Sequence, residues 1–284
     1  MLWKRALQSL SRSLHRVHHA GDGPRIGVAL GGGFARGVAH IGVLRALRKY
    51  NVPIHNIAGV SAGSVVAAAY ASGTSLDEIE DAARQMKFRD VARWTIDWKG
   101  VLDSQRMDHF LRKLLRVHTF EKMPTPLAVV ASDLSNGLPA VYRKYGDAIT
   151  PVRASCAYPG LFKPVEFNGR LLVDGMVAME VPAKPLQEMG ASHVLSVYLP
   201  GEDETVDPLN VVQIVNRCFQ VMSSRLEGEW RRHSDLVIIP EVGDVGWDSF
   251  DNVQNVIRAG EKAVEKAMPE IGEWMRVATK QTPK

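Results

Sequence analysis

Cysteine is nearly missing from this chain: Cys156 and Cys218 are the only two in 284 residues. Their spacing suits no metal site, and both read as small, reduced, buried residues of a cytoplasmic protein. No apolar run reaches the roughly 18–20 residues that crossing a bilayer requires. Acid is wholly absent from residues 1–19, MLWKRALQSLSRSLHRVHH, where Lys4, Arg5, Arg12 and Arg16 supply much of the formal net charge of +4. The remaining balance is mild, and no basic patch interleaved with aromatics exists to argue for nucleic acid. His15, His18 and His19 stand without carboxylate or cysteine companions, so they read as solvated rather than metal-binding. No metal, cofactor or oligomeric state is called for by these features.

What is present begins with that first segment. Trp3, Leu7, Leu10, Leu14 and Val17 recur at three- and four-residue steps and form one stripe. Residues 1–24 are therefore expected to be a basic amphipathic extension, with 1–19 making peripheral contact with an anionic membrane surface. Composition does not break again between 25 and 284, which argues for one large domain.

The chain is organised around residues 25–70. Ile26 to Leu30 is a short apolar run of the kind a covered parallel strand uses, and it stops at Gly31, Gly32 and Gly33. Such a turn can start a helix with backbone N–H groups pointing outward. A second apolar strand, Ile57 to Val60, leads into Gly59-Val60-Ser61-Ala62-Gly63. This is G-x-S-x-G, whose glycines permit the sharp strand-to-helix turn that presents a serine hydroxyl. Two such turns on neighbouring strands would set an anion-stabilising pocket beside a serine.

Further along, Ser75 is expected to cap a helix, and another spans about Ser104 to Leu115. Between them Phe88, Trp94, Ile96 and Trp98 interrupt regular patterning and read as core or as a flap. Leu127 to Ala131 is a strand that Ala140 to Tyr145 can pair with, and Asp133 reads as a turn-capping residue. Asn168-Gly169, between Val165/Phe167 and Leu171/Val173, predicts a tight hairpin whose second strand ends at Asp174-Gly175. A helix over Val181 to Met189, strands at His193 to Leu199 and Leu236 to Ile239, and helices over about 209–230 and 252–275 complete the chain. In the first of those two helices Cys218, Phe219, Met222 and Leu226 look like packing residues. Strands alternating with helices imply a three-layer α/β/α domain around a mostly parallel sheet.

Ser61 needs a base, because a serine hydroxyl is a poor nucleophile at neutral pH. One arrangement recruits an acid and then His193 or His233, in the chain order of α/β-hydrolases, though neither histidine sits in a glycine-framed loop. The other uses Asp174 alone, partly buried and aimed at the hydroxyl, with the Gly31–Gly33 amides stabilising an oxyanion. A phosphate-cradling module is a third reading. Against it, Arg36 stands where a G-x-G-x-x-G begun at Gly31 needs its last glycine, and no P-loop lysine follows.

Taken together, Gly31-Gly32-Gly33-Phe34-Ala35-Arg36-Gly37, Gly59-Val60-Ser61-Ala62-Gly63 and Asp174-Gly175 resemble, in order, the three motifs of the patatin-like phospholipase family. The block from Ser155 to Pro164, SCAYPGLFKP, is similar to a further stretch usual in bacterial members. The resemblance spans roughly residues 25–240. It implies a serine lipid acyl hydrolase with nucleophile Ser61, base Asp174 and an oxyanion hole at Gly31, Gly32 and Gly33, acting on a lipid or other acyl ester. Arg36, Gly59, Gly63 and Gly175 are its supporting positions, Arg36 either fixing the loop or attracting an anionic head group. Met176 replaces the small residue common after Asp-Gly, which bears on the pocket beside Asp174. A catalytically slow regulatory or binding relative is the alternative.

Overall fold

The computed structural model describes residues 23–86, 90, 93–94, 102–200, 211–243 and 252–279. The residues 1–19 read as an amphipathic stripe, and Phe88, Ile96 and Trp98 of the segment read as core or flap, lie outside them. The elements run β1 (Ile26–Leu30), α1 (Ala39–Lys49), β2 (Ile54–Val60), α2 (Ala62–Ala71), α3 (Leu76–Gln85), the short pair β3 (Arg93–Trp94) and β4 (Leu102–Asp103), then α4 (Gln105–Leu114). They continue with β5 (Leu127–Asp133), β6 (Pro139–Arg143), α5 (Ile149–Ser155), β7 (Val165–Phe167), β8 (Arg170–Asp174), α6 (Ala183–Glu188), β9 (His193–Val197), α7 (Val211–Arg231), β10 (Leu236–Ile238) and α8 (Val253–Thr279).

The sheet order is β10-β9-β1-β2-β5-β8-β7, with β6 also paired to β5. The five strands from β10 to β5 run parallel, and the hairpin β7/β8 and strand β6 join antiparallel. Alternation along the central strands sorts side chains by size. Val28, Leu30, Ile57 and Val129 enter the larger core under α1, α2 and α8, whereas Ala29, Ala58 and Ala128 face the smaller layer formed with α6 and Trp230. Helices thus cover both faces, as a parallel sheet requires. The outcome is a three-layer α/β/α domain with a mostly parallel sheet.

Local chemistry explains the element ends. Ser75 and Glu78 form a reciprocal capping box at α3. Asn168 and Gly169 both have positive φ, 50° and 72°, the conformation a two-residue hairpin turn demands. Two expectations need correction. Helix α6 begins only at Ala183, because Pro182 holds a non-helical ψ of 57° before it. In α7, Cys218, Met222 and Leu226 are exposed rather than packed, Met222 at 49%. The helix rests on the face carrying Ser223 and Trp230, and of the four residues expected inside Phe219 is the half-buried one, its ring packed on that of Tyr158.

Candidate active site

Both glycine turns open at the same end of the sheet, since β1 and β2 are parallel neighbours paired from Ile26/Ile54 to Leu30/Gly59. At the end of β2, Ser61 adopts φ 52° and ψ −129°, a strained conformation for a residue with a side chain. Close packing imposes it. A methyl at Gly59 would collide with the Ser64 Cα and Gly63 carbonyl, and one at Gly63 would collide with the carbonyls of Leu30 and Gly31. Ser64 then closes the turn, its N–H and hydroxyl both donating to the Ser61 carbonyl at 2.8 and 2.7 Å.

Asp174 comes from the end of β8, which reaches the site because Ala131 to Asp133 of β5 pair antiparallel with Leu172 to Asp174. Its backbone N–H donates to Ala157 and its carbonyl accepts the Ser132 hydroxyl at 2.8 Å. A methyl at Gly175 would strike the Val130 carbonyl, so that position has no room for a side chain. The Ser61 hydroxyl donates to Asp174 Oδ2 at 2.7 Å, and Oδ1 accepts the Met176 N–H at 3.0 Å. Asp174 is fully buried, and burial pushes its carboxyl up to about 7 despite those two donors. Met176 thus serves through its backbone, and its side chain is not among those lining the cavity beside Ser61.

The glycine turn is held from several sides. The Gly31 N–H donates to the Val197 carbonyl at 3.1 Å, continuing the β1/β9 ladder by one residue. That engagement corrects the expectation of three available amides. Gly32 donates only weakly, 3.4 Å to the Glu180 carbonyl, and among the described residues the Gly33 N–H has no acceptor. A methyl at Gly32 would lie 3.5 Å from the Ser61 Cβ, so this turn faces the serine. Arg36 braces the loop through the Pro200 carbonyl at 2.8 Å and the Gly33 carbonyl at 3.5 Å.

Three polar residues at the site had no role assigned from the sequence, although Ser155 opens the block SCAYPGLFKP. The Ser155 hydroxyl accepts the Ser61 N–H at 2.8 Å and donates to Val130 at 2.6 Å. Ser132 supports both sides of Asp174-Gly175, also accepting the Ala178 N–H. His40, fully buried, donates from Nε2 to the Gly31 carbonyl at 2.9 Å, and burial lowers its pKa to about 4, so it stays neutral. The two histidines weighed for a triad lie elsewhere. His193 begins β9 at the opposite end of the sheet, its ring stacked on Trp274, and His233 is bonded to Gln187.

From Ser61 a cavity of about 170 Å³ runs between α2, α3 and α4. Its walls include Phe34, Ile41, Val66, Ile79, Met107 and Phe110, and apart from Ser61 and Cys156 they are hydrocarbon, aromatic ring, thioether or glycine. The arrangement combines a hydroxyl bonded to a buried carboxyl group, a neighbouring glycine turn with an amide that has no acceptor among the described residues, and an apolar compartment sized for an alkyl group.

The model of the patatin-like phospholipase family matches residues 28–186, over half the chain. The chain belongs to the patatin-like phospholipase family. Among curated relatives, an uncharacterized NTE family protein of Mycobacterium tuberculosis is 37% identical over 183 residues, covering 63% of this chain and 50% of that protein. Lysophospholipase NTE1 of Cryptococcus neoformans is 33% identical over 189 residues, covering 64% of this chain and 12% of its own. The chain thus spans about half the length of the mycobacterial relative and far less of the fungal one. Human GIVD cytosolic phospholipase A2 shares the patatin-like fold at a TM-score of 0.53 and 11% identity, over 98% of this chain and 62% of that one. VipD from Legionella pneumophila does so at 0.52 and 13%, over 88% and 67%.

Proposed function

We propose that this chain is a serine lipid acyl hydrolase of the phospholipase A or lysophospholipase type, working through a Ser61–Asp174 dyad. The observation that carries the reading is the 2.7 Å hydrogen bond between two buried side chains at the mouth of an apolar cavity. Family membership supports the substrate class. Asp174 can act as the base because burial lifts its affinity for a proton toward neutrality, and at the pH where it ionises the Ser61 hydroxyl already points at it.

In the acylation step Asp174 Oδ2 takes the Ser61 proton as Oγ bonds to the ester carbonyl carbon. The resulting oxyanion is met by the Gly33 amide, with Gly32 able to turn from its weak bond to Glu180. Collapse breaks the bond to the leaving alcohol, which departs with the proton from Asp174 and leaves an acyl group on Ser61. Water then adds to the acyl-enzyme while Asp174 accepts its proton. Collapse of this second intermediate frees the fatty acid and returns the proton to Ser61. The apolar cavity receives the acyl chain, and the polar part of the lipid remains outside.

The test is hydrolysis of a chromogenic acyl ester and of a lysophospholipid by purified protein. Ser61→Ala is expected to abolish both. Undetectable turnover by the wild-type chain would favour the alternative, a binding or regulatory member of the family.

A further inference from the structure

Helix α7 is apolar on two opposite sides. Inward, Phe219 packs edge-on against Tyr158 with ring centroids 5.4 Å apart, and Tyr158 packs at 4.9 Å on Phe34, which lines the cavity at Ser61. Ser223 and Trp230 lie on that same buried side. Outward, Ile214, Cys218, Val221 and Met222 follow one another at steps of four, three and one, so they form a single stripe, flanked by Leu226. Ile214 is 47% exposed, Val221 44% and Leu226 40%. Arg217 and Arg225 are exposed on this outer side, and the sequence contains no Asp or Glu from 211 to 226.

We propose that the outer face of α7 docks the protein on an anionic lipid surface, setting the mouth of the cavity against the bilayer. The proposal rests on the lipid-hydrolase reading of the site. Charge and size select this occupant over others. Exposed hydrocarbon bordered by arginine, with no acid from 211 to 226 and the exposed Glu229 further along the same side paired with Arg232, is the pattern of a helix that lies in the headgroup region. Residues 1–19, the chain's other amphipathic stretch, also carry cations and no acid, so they would repel this face rather than cover it. A second copy of the chain would bring the same cations, and a stripe of five side chains is far short of the roughly 20–30 residues a stable interface uses on each side. The ring contacts of the inward side, from Phe219 through Tyr158 to Phe34, place the helix that carries this face beside the site it would serve.

The experiment uses the full chain with sedimentable vesicles of phosphatidylcholine, with and without phosphatidylglycerol. Wild-type protein is expected to pellet with the anionic vesicles. Arg217→Gln/Arg225→Gln should lower the partition coefficient by about fivefold per arginine, and Val221→Glu/Met222→Glu should remove binding. Hydrolysis of a soluble short-chain ester should be unchanged in both, which establishes that they fold. A fluorophore on the exposed Cys218, in a Cys156→Ala background, should shift to the blue on anionic vesicles. Retained vesicle binding by Val221→Glu/Met222→Glu overturns the proposal. So does a mass doubling in sedimentation equilibrium that these substitutions abolish, since it would assign the face to self-association. Absence of soluble-ester hydrolysis in the wild type would strike the enzymatic reading instead, and the vesicle result would still decide the docking face.

Discussion

Replacing Asp174 by asparagine should remove activity and, at alkaline pH, make the protein more stable. The substitution keeps shape and bonding: the new carbonyl can accept the Met176 N–H, and the new amide can donate to Ser61 Oγ, where Asp174 accepted. What it deletes is a buried charge. Burial raises the carboxyl from 3.8 to about 7, so the folded chain holds this proton more tightly than the unfolded chain. Stability from that proton is complete below about pH 4 and is lost as pH rises toward 7. At roughly 1.4 kcal/mol per tenfold change in proton affinity, the ionised group destabilises the fold at pH 8 by about 4 kcal/mol. At about 2 °C per kcal/mol for a chain of this size, and allowing for partial relaxation around the charge, the asparagine variant should melt about 4–8 °C higher at pH 8. The gain should shrink toward pH 5 and vanish near pH 4. Calorimetry of both proteins across that range checks it, with loss of about 10²–10⁴ in kcat measured in parallel. A variant that melts lower at pH 8, or a gain independent of pH, would refute the argument.

The wild-type rate on a soluble ester should rise about tenfold per pH step below 7 and level above it, because only ionised Asp174 can take the serine proton; a limb centred near 4 would mean the carboxylate behaves as if solvated. Ser155→Ala leaves the Ser61 N–H buried without its acceptor, and should lower kcat about tenfold and destabilise by about 1–3 kcal/mol, read from steady-state kinetics and denaturant melts. His193→Ala and His233→Ala, whose side chains are held by Trp274 and Gln187 away from the serine, should leave kcat within about twofold; collapse of activity in a folded variant would restore a histidine to the mechanism.

Much of the site could be read from local rules. The G-x-S-x-G turn, the capping box at Ser75 and the Asn168-Gly169 hairpin each depend on residues within a few positions, so the letters suffice to place them. Asp174 was legible as an acid at a strand end, though only the pairing of β8 with β5 brings it to Ser61. The roles of Ser155, Ser132 and His40 were not legible, although Ser155 opens a block that resembles a family stretch. Such a role arises when chain far away supplies the partner, as Ser155 meets Ser61 94 positions apart. The available amides also escaped the sequence, because whether Gly31 points into the site or continues a ladder depends on which strand lies beside β1. Helix α7 misled for a different reason. A helix with apolar residues on both sides gives the same periodic signal whichever side is buried, and the Tyr158 contact together with the burial of Ser223 and Trp230 resolves it.

The proposed function stands or falls on whether Ser61 is a nucleophile made reactive by Asp174. Intact-protein and peptide mass spectrometry after brief treatment with an alkyl fluorophosphonate tests it most directly. One adduct should form on the peptide carrying Ser61 in the wild type, none in Ser61→Ala, and the rate should fall at least a hundredfold in Asp174→Asn, within the range a general base supplies. Labelling of another residue, or equal rates with and without the carboxylate, would contradict it.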